Sequence, residues 1–261
     1  MNNVLKRFVL YIAALPIFLL MAAGIVAYAK NAQPTVQWIG YIAATNASNP
    51  ARSVTFVNGS WIVPLLGPGL FARTFHLPWD AKEWIGIGGY DNDPTIVQIG
   101  TETAYYGNDT TSYYAWYEYF NSSYRTTNRK KVIANFTINP GDIMYASVKC
   151  IANCSSSPQR WSVILEDVSA REKFQNASVF NATRTYADWV VEVLPKADIF
   201  SQYFVNMTHV FFGQAYTGIE SDYATVGNIT GPIGLLNHSR INQSDIEHAS
   251  GLYDNASFTI R

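Results

Sequence analysis

Beyond residue 30 the chain is a succession of short apolar runs, each cut off by glycine, proline or asparagine. Residues 53–63 alternate apolar and polar and stop at Pro64. Residues 83–87 are closed by Gly88-Gly89, and residues 95–99 by Gly100. Residues 112–120 are aromatic-rich. Residues 131–138 alternate as far as the turn Asn139-Pro140-Gly141-Asp142. The runs 143–150, 160–165, 185–193, 209–212 and 257–260 repeat the pattern. A period of two with turn residues at short intervals marks strands, and many short strands in series mark a sandwich or barrel. No stretch after the leader keeps a 3.6-residue period over a helical length, so the expected class is all-β. Residues 30–261 show no repeat and no linker, which predicts one domain. The polar, turn-rich stretch 218–255 is expected to be a long surface excursion.

The first 29 residues are of another kind. Lys6 and Arg7 precede a nearly uninterrupted apolar run over residues 8–29, ending in Ala27-Tyr28-Ala29. A positive start, an apolar stretch and small residues at the end describe a secretory signal. A run of this length also suffices to cross a bilayer as a helix. Both a cleaved signal peptide and an uncleaved membrane tether therefore stand, and either one exports the rest of the chain. Thirteen Asn-x-Ser/Thr sequons, from Asn46 to Asn255, fit an exported and glycosylated surface. In an oxidising compartment the only two cysteines, Cys150 and Cys154, are expected to form a local disulfide.

Composition narrows the chemistry. Eighteen Lys and Arg against nineteen Asp and Glu leave a net charge of -1, and no basic run is long enough to bind phosphates, so nucleic acid is not an expected partner. Charged residues make up only 14% of the 261 residues, while hydrophobics reach 48%. Low charge density suits an acidic habitat, where fewer carboxylates need protonating and fewer like charges repel. There is no His-Glu-x-x-His helix, no Cys-x-x-Cys pair, no Gly-rich phosphate loop and no Gly-x-Ser-x-Gly elbow. The four histidines are scattered. No metal or other cofactor is expected, and any catalysis must rest on carboxylates, amides and aromatics.

Three segments place such groups inside apolar strands. Gln98 stands alone in Thr95-Ile96-Val97-Gln98-Ile99-Gly100, downstream of Trp84-Ile85-Gly86-Ile87-Gly88-Gly89. Glu118 lies in Ala115-Trp116-Tyr117-Glu118. In Ala187-Asp188-Trp189-Val190-Val191-Glu192, alternation puts Asp188, Val190 and Glu192 on one face. Trp84, Trp116 and Trp189 read as core, whereas Trp38 and Trp161 suit either core or a groove wall.

In their order and spacing these segments, with Trp38-Ile39-Gly40, Trp61-Ile62-Val63-Pro64, Pro140-Gly141-Asp142 and Val210-Phe211-Phe212-Gly213, resemble the glutamic peptidase (eqolisin) family. The resemblance implies a sandwich of two large antiparallel sheets, of the jelly-roll or concanavalin-like kind. It implies an endopeptidase acting on polypeptide substrates through a Gln/Glu dyad, with Gln98 and Glu192 at the catalytic positions. Trp38 and Glu118 match positions near the family's site and are expected to line the substrate groove. Two departures are visible: Gly88 stands where the family commonly has Asp, and Tyr114 where it often has an acid. A monomer is expected. Two other readings of such a chain are a carbohydrate-binding or glycosidase-like sandwich and a non-catalytic glycoprotein of the cell envelope.

Overall fold

The computed structural model describes residues 37–45, 53–68, 73–74, 76, 78–107, 110–123, 130–194, 205–207, 210–219, 222–225, 235–242, 249–254 and 256–260. The apolar leader lies outside the described residues. Among the described residues sixteen strands follow one another. The first eight are β1 (Gln37–Thr45), β2 (Phe56–Ile62), β3 (Leu66–Pro68), β4 (Trp79–Gly88), β5 (Thr95–Tyr105), β6 (Thr111–Asn121), β7 (Lys131–Val132) and β8 (Ile143–Ala152). The remaining eight are β9 (Arg160–Asp167), β10 (Glu172–Val179), β11 (Tyr186–Leu194), β12 (Val205–Met207), β13 (Val210–Ile219), β14 (Asp222–Thr225), β15 (Leu235–Asn242) and β16 (Phe258–Ile260).

The strands form two large antiparallel sheets. The first runs β15-β1-β11-β4-β5-β6-β7, and the second runs β10-β9-β8-β2-β13-β14 with β16 also paired to β13. A small third sheet joins β12 to β3. The main core lies between the large sheets. Ile39, Tyr41, Ile85, Val97, Ile99 and Trp189 come from the first, and meet Val57, Trp61, Val148, Trp161, Leu165 and Phe212 from the second. Two indoles stitch the layers together by hydrogen bonds: Trp189 Nε1 donates to the Asn58 carbonyl at 2.7 Å, and Trp61 Nε1 to Thr101 Oγ1 at 2.9 Å. The all-β sandwich is thus present, and Cys150 and Cys154 are bridged where β8 ends.

Several strands depart from the sequence expectation for local reasons. Gly100 does not end β5 but lies inside it, because a Cβ there would sit 2.1 Å from the Glu83 carbonyl oxygen and 2.6 Å from Trp84 Cβ. The glycine is a packing requirement of the neighbouring strand. Conversely, the run 131–138 supplies only the two residues of β7, and the chain then turns through Asn135 in the left-handed region, at φ 59°. Residues 218–255 are more than a surface excursion, since β14 extends the second sheet and β15 pairs with β1 at the edge of the first. The alternation of β10 and the place of β1 between β15 and β11 in the first sheet went unread in the sequence.

Candidate active site

Directly opposed residues of antiparallel strands share a face, so the ladder itself assembles the site. On the face of the first sheet turned away from the second, one row reads Trp38, Glu192, Lys82, Glu102, Tyr114. Four residues along lies a second row: Ile42, Asp188, Gly86, Gln98, Glu118. Between them Trp84, Trp116 and Val190, with Ile42 and Ile96, form a separate apolar cluster. That cluster is the floor on which the polar groups stand.

Above the floor opens a cleft of about 590 Å³, lined by Trp38, Gly89, Tyr90, Asp91, Asp93, Ile96, Gln98, Glu118, Phe120 and Glu192. All four residues expected at the site line this one cleft. Trp38 takes the groove-wall role, packed edge-on against Trp84 at 4.8 Å, and Trp161 is core. One part of the wall comes from the β4–β5 connection, where Gly88 and Gly89 adopt φ of 95° and 86°. At Gly88 a Cβ would fall 2.2 Å from the Thr95 carbonyl oxygen. The family's Asp therefore has no room on this backbone, and the acids of this turn are Asp91 and Asp93 instead.

Glu192 is held from both flanking strands. Trp38 Nε1 donates to Oε2 at 3.2 Å, and the Lys82 ammonium donates to Oε1 at 2.6 Å. Lys82 is nearly buried, with Asp80 as a second, longer partner at 3.4 Å. Burial pulls the ammonium pKa down, but the Glu192 and Asp80 carboxylates outweigh it, and the net shift is upward. Gln98 is buried, and its Nε2 donates to Glu118 Oε2 at 2.8 Å while its Oε1 has no partner. Burial pushes the Glu118 carboxyl above its ordinary value, with the Gln98 donor offsetting part of the rise.

Asp188 does not reach the cleft. It is fully buried in the Gln98 row, and burial, reinforced by the Asp93 charge, raises its pKa well above the carboxylate range. Lys82, Tyr90, Asp91, Asp93 and Phe120 were not singled out from the sequence. Lys82 shares a face with Trp84 by alternation, but only the β4–β11 register reveals that it meets Glu192. Among the described residues, no three His, Cys, Asp or Glu side chains converge as a metal site would require. The arrangement as it stands is one carboxylate gripped by two donors and one buried amide held by a second carboxyl group, both lining a common groove.

The model of the peptidase A4 family matches residues 36–247 of the chain. Among solved structures, scytalido-glutamic peptidase with a transition-state analogue inhibitor is similar at 19% sequence identity and a TM-score of 0.59, over 87% of this chain and 98% of that one. SCP-B, a member of the eqolisin family crystallised with the tripeptide Ala-Ile-His, is similar at 18% identity and a TM-score of 0.56, with the same coverage. At these identities the likeness is one of fold. No curated protein matches the chain in sequence.

Proposed function

The chain belongs to the peptidase A4 family of glutamic endopeptidases, and from that premise we propose that it is an exported acid peptidase whose dyad is Glu192 and Gln98. The observation that carries this reading is their shared cleft, in which the Glu192 carboxylate is held by Trp38 and Lys82 and the Gln98 amide by Glu118. Glu192, fixed by Trp38 and Lys82, acts as general base and takes a proton from a water. The water oxygen then bonds to the scissile carbonyl carbon. Negative charge develops on the carbonyl oxygen, and the N–H of Gln98 not used by Glu118 donates to it. Glu192 then passes its proton to the leaving amine as the C–N bond breaks. An amide does not titrate, so Gln98 works unchanged in acid.

Trp38, Tyr90 and Phe120 offer aromatic walls to the side chains of an extended polypeptide, and Glu118 orients the amide. Export through residues 1–29, by cleavage or as a tether, would deliver the domain to an oxidising space suited to the Cys150–Cys154 bridge. It would also expose the sequons to glycosylation. Asn135 and Asn153 are exposed, whereas the Asn58 amide is occupied by the Tyr145 hydroxyl at 3.1 Å.

The test is cleavage of an unfolded protein from pH 2 to 7, with Glu192→Gln and Gln98→Ala beside the wild type. Acid activity that disappears in both variants establishes the dyad. A folded wild type that is silent across the range returns the chain to a binding or envelope role, and a Glu192→Gln variant as active as wild type refutes the dyad.

A further inference from the structure

Lys82 is the one ammonium in the Glu192 row, and it lies outside the cleft that Glu192 lines. A lysine in a doubly covered strand is costly unless its charge is matched. Three carboxyl groups surround this one. Glu102 is already occupied by Lys130 and by the Tyr114 hydroxyl. Asp80 is farther, at 3.4 Å, and more exposed. The short contact, at 2.6 Å, goes to Glu192 Oε1.

Resting on the peptidase reading, we infer that Lys82 is a positioning residue for the reaction: through its 2.6 Å contact to Oε1 it aims the Glu192 carboxylate into the cleft. Lys82 and Trp38 hold one oxygen each, from the two strands that flank β11. Held by both oxygens, the carboxylate meets the attacking water in one orientation, and that alignment is what Lys82 contributes.

The other charged and titratable groups around Glu192 do not substitute for Lys82. Asp80 comes from the same strand as Lys82, Glu102 from β5, Glu118 from β6, and Asp91 and Asp93 from the β4–β5 connection, and all of these are acids. Lys130 pairs with Glu102. Among the described residues, Lys82 is the cation paired with Glu192.

The experiment measures kcat and KM for the full chain from pH 2 to 7, using a fluorogenic peptide without titratable side chains. Wild type is compared with Lys82→Met, Lys82→Gln and Lys82→Arg, each checked for a cooperative melt. The two neutral variants are expected to lose about tenfold or more in kcat, with KM little changed. Lys82→Arg keeps a charged donor to Glu192 and recovers much of the lost kcat. An unchanged kcat in the neutral variants, a loss carried by KM alone, or an arginine variant as impaired as methionine overturns the role of Lys82 while the dyad stands. A wild type inert throughout overturns the peptidase reading, one indifferent to Glu192→Gln overturns the dyad, and this inference falls with either.

Discussion

Two lysines at equivalent alternation, Lys82 on β4 and Lys149 on β8, have opposite fates. Every residue of β4 except Asp80 is buried, because one face packs between the sheets and the other lies under the aromatic cluster of the cleft. In β8 alternate residues are buried and the others turn outward, so Lys149 is exposed and its strand reads as plain alternation. A charge on a one-sided strand is solvated at little cost. A charge on a two-sided strand has to find a partner. The polar groups of β4 and β5 consequently form a wired network: Lys82 to Glu192, Gln98 to Glu118, and Thr101 to Glu83 at 2.7 Å. Chemistry is concentrated where the sheet is covered twice.

The sharpest way to break this comparison is mutational. Glu192→Gln should lower kcat/KM by about 10³-fold or more, and Gln98→Ala by about 10²–10³-fold. Lys149→Met, on the one-sided strand, should leave both activity and melting temperature within error. If Lys149→Met proved as damaging as a dyad variant, the contrast between the two strands would be gone.

The next effect is on stability. Glu83 is fully buried between the sheets, and burial pushes its pKa up to about 8, with the Thr101 hydroxyl offsetting part of the rise. A carboxyl whose folded pKa lies above its unfolded value stabilises the fold fully below the unfolded value, and that contribution fades as pH rises through the folded one. Asp188, raised in the same direction, adds to the effect. The melting temperature should therefore fall between about pH 5 and 8, with a loss on the order of a few kcal/mol. Glu83→Gln should flatten that slope. A wild-type melting temperature that climbs over this interval would show that the buried acids do not govern the pH response.

Backbone crowding comes third. Gly100→Ala drives a methyl against the Glu83 carbonyl and Trp84, and should cost about 1–3 kcal/mol in chemical denaturation. Gly141→Ala provides the control for added bulk, since nothing lies within 4 Å of its Cβ position; at φ 91° its cost is backbone strain alone. Among the cleft residues the smallest expected effect belongs to Glu118→Gln. Burial raises the Glu118 carboxyl and so favours its neutral form, and a glutamine of the same shape can still hold the Gln98 amide, so the loss in kcat should stay below about tenfold. A loss as large as that of Glu192→Gln would make Glu118 a direct participant.

The strands that alternate were readable because their burial is one-sided. The doubly covered ones were readable as strands but not to their full length: β4 begins at Trp79, and β5 runs on through Gly100 to Tyr105. Gln98, Glu118 and Glu192 stood out in the sequence because each interrupts an apolar or aromatic run. Lys82 did not, since it sits among Asp80, Ala81 and Glu83 and looks like part of a solvated start to a strand. Asp91 and Asp93 read as ordinary turn residues until the glycines at 88 and 89 swing the turn over the groove.

From sequence alone follow the all-β class, the sandwich or barrel, the local disulfide and the identity of the groups able to do chemistry. These depend on residue type, on a period of two and on turn residues, all of which are local. Only tertiary structure decided which of those groups meet. Strand order brings β11 beside β4 and β1, although 98 residues of numbering separate Lys82's strand end at Gly88 from Tyr186 at the start of β11. Register then decides that Glu192 faces Lys82 and Trp38, and Gln98 faces Glu118. A slip of a single residue would turn every one of these side chains to the opposite face, and that register is fixed by packing the two sheets together rather than by any local signal.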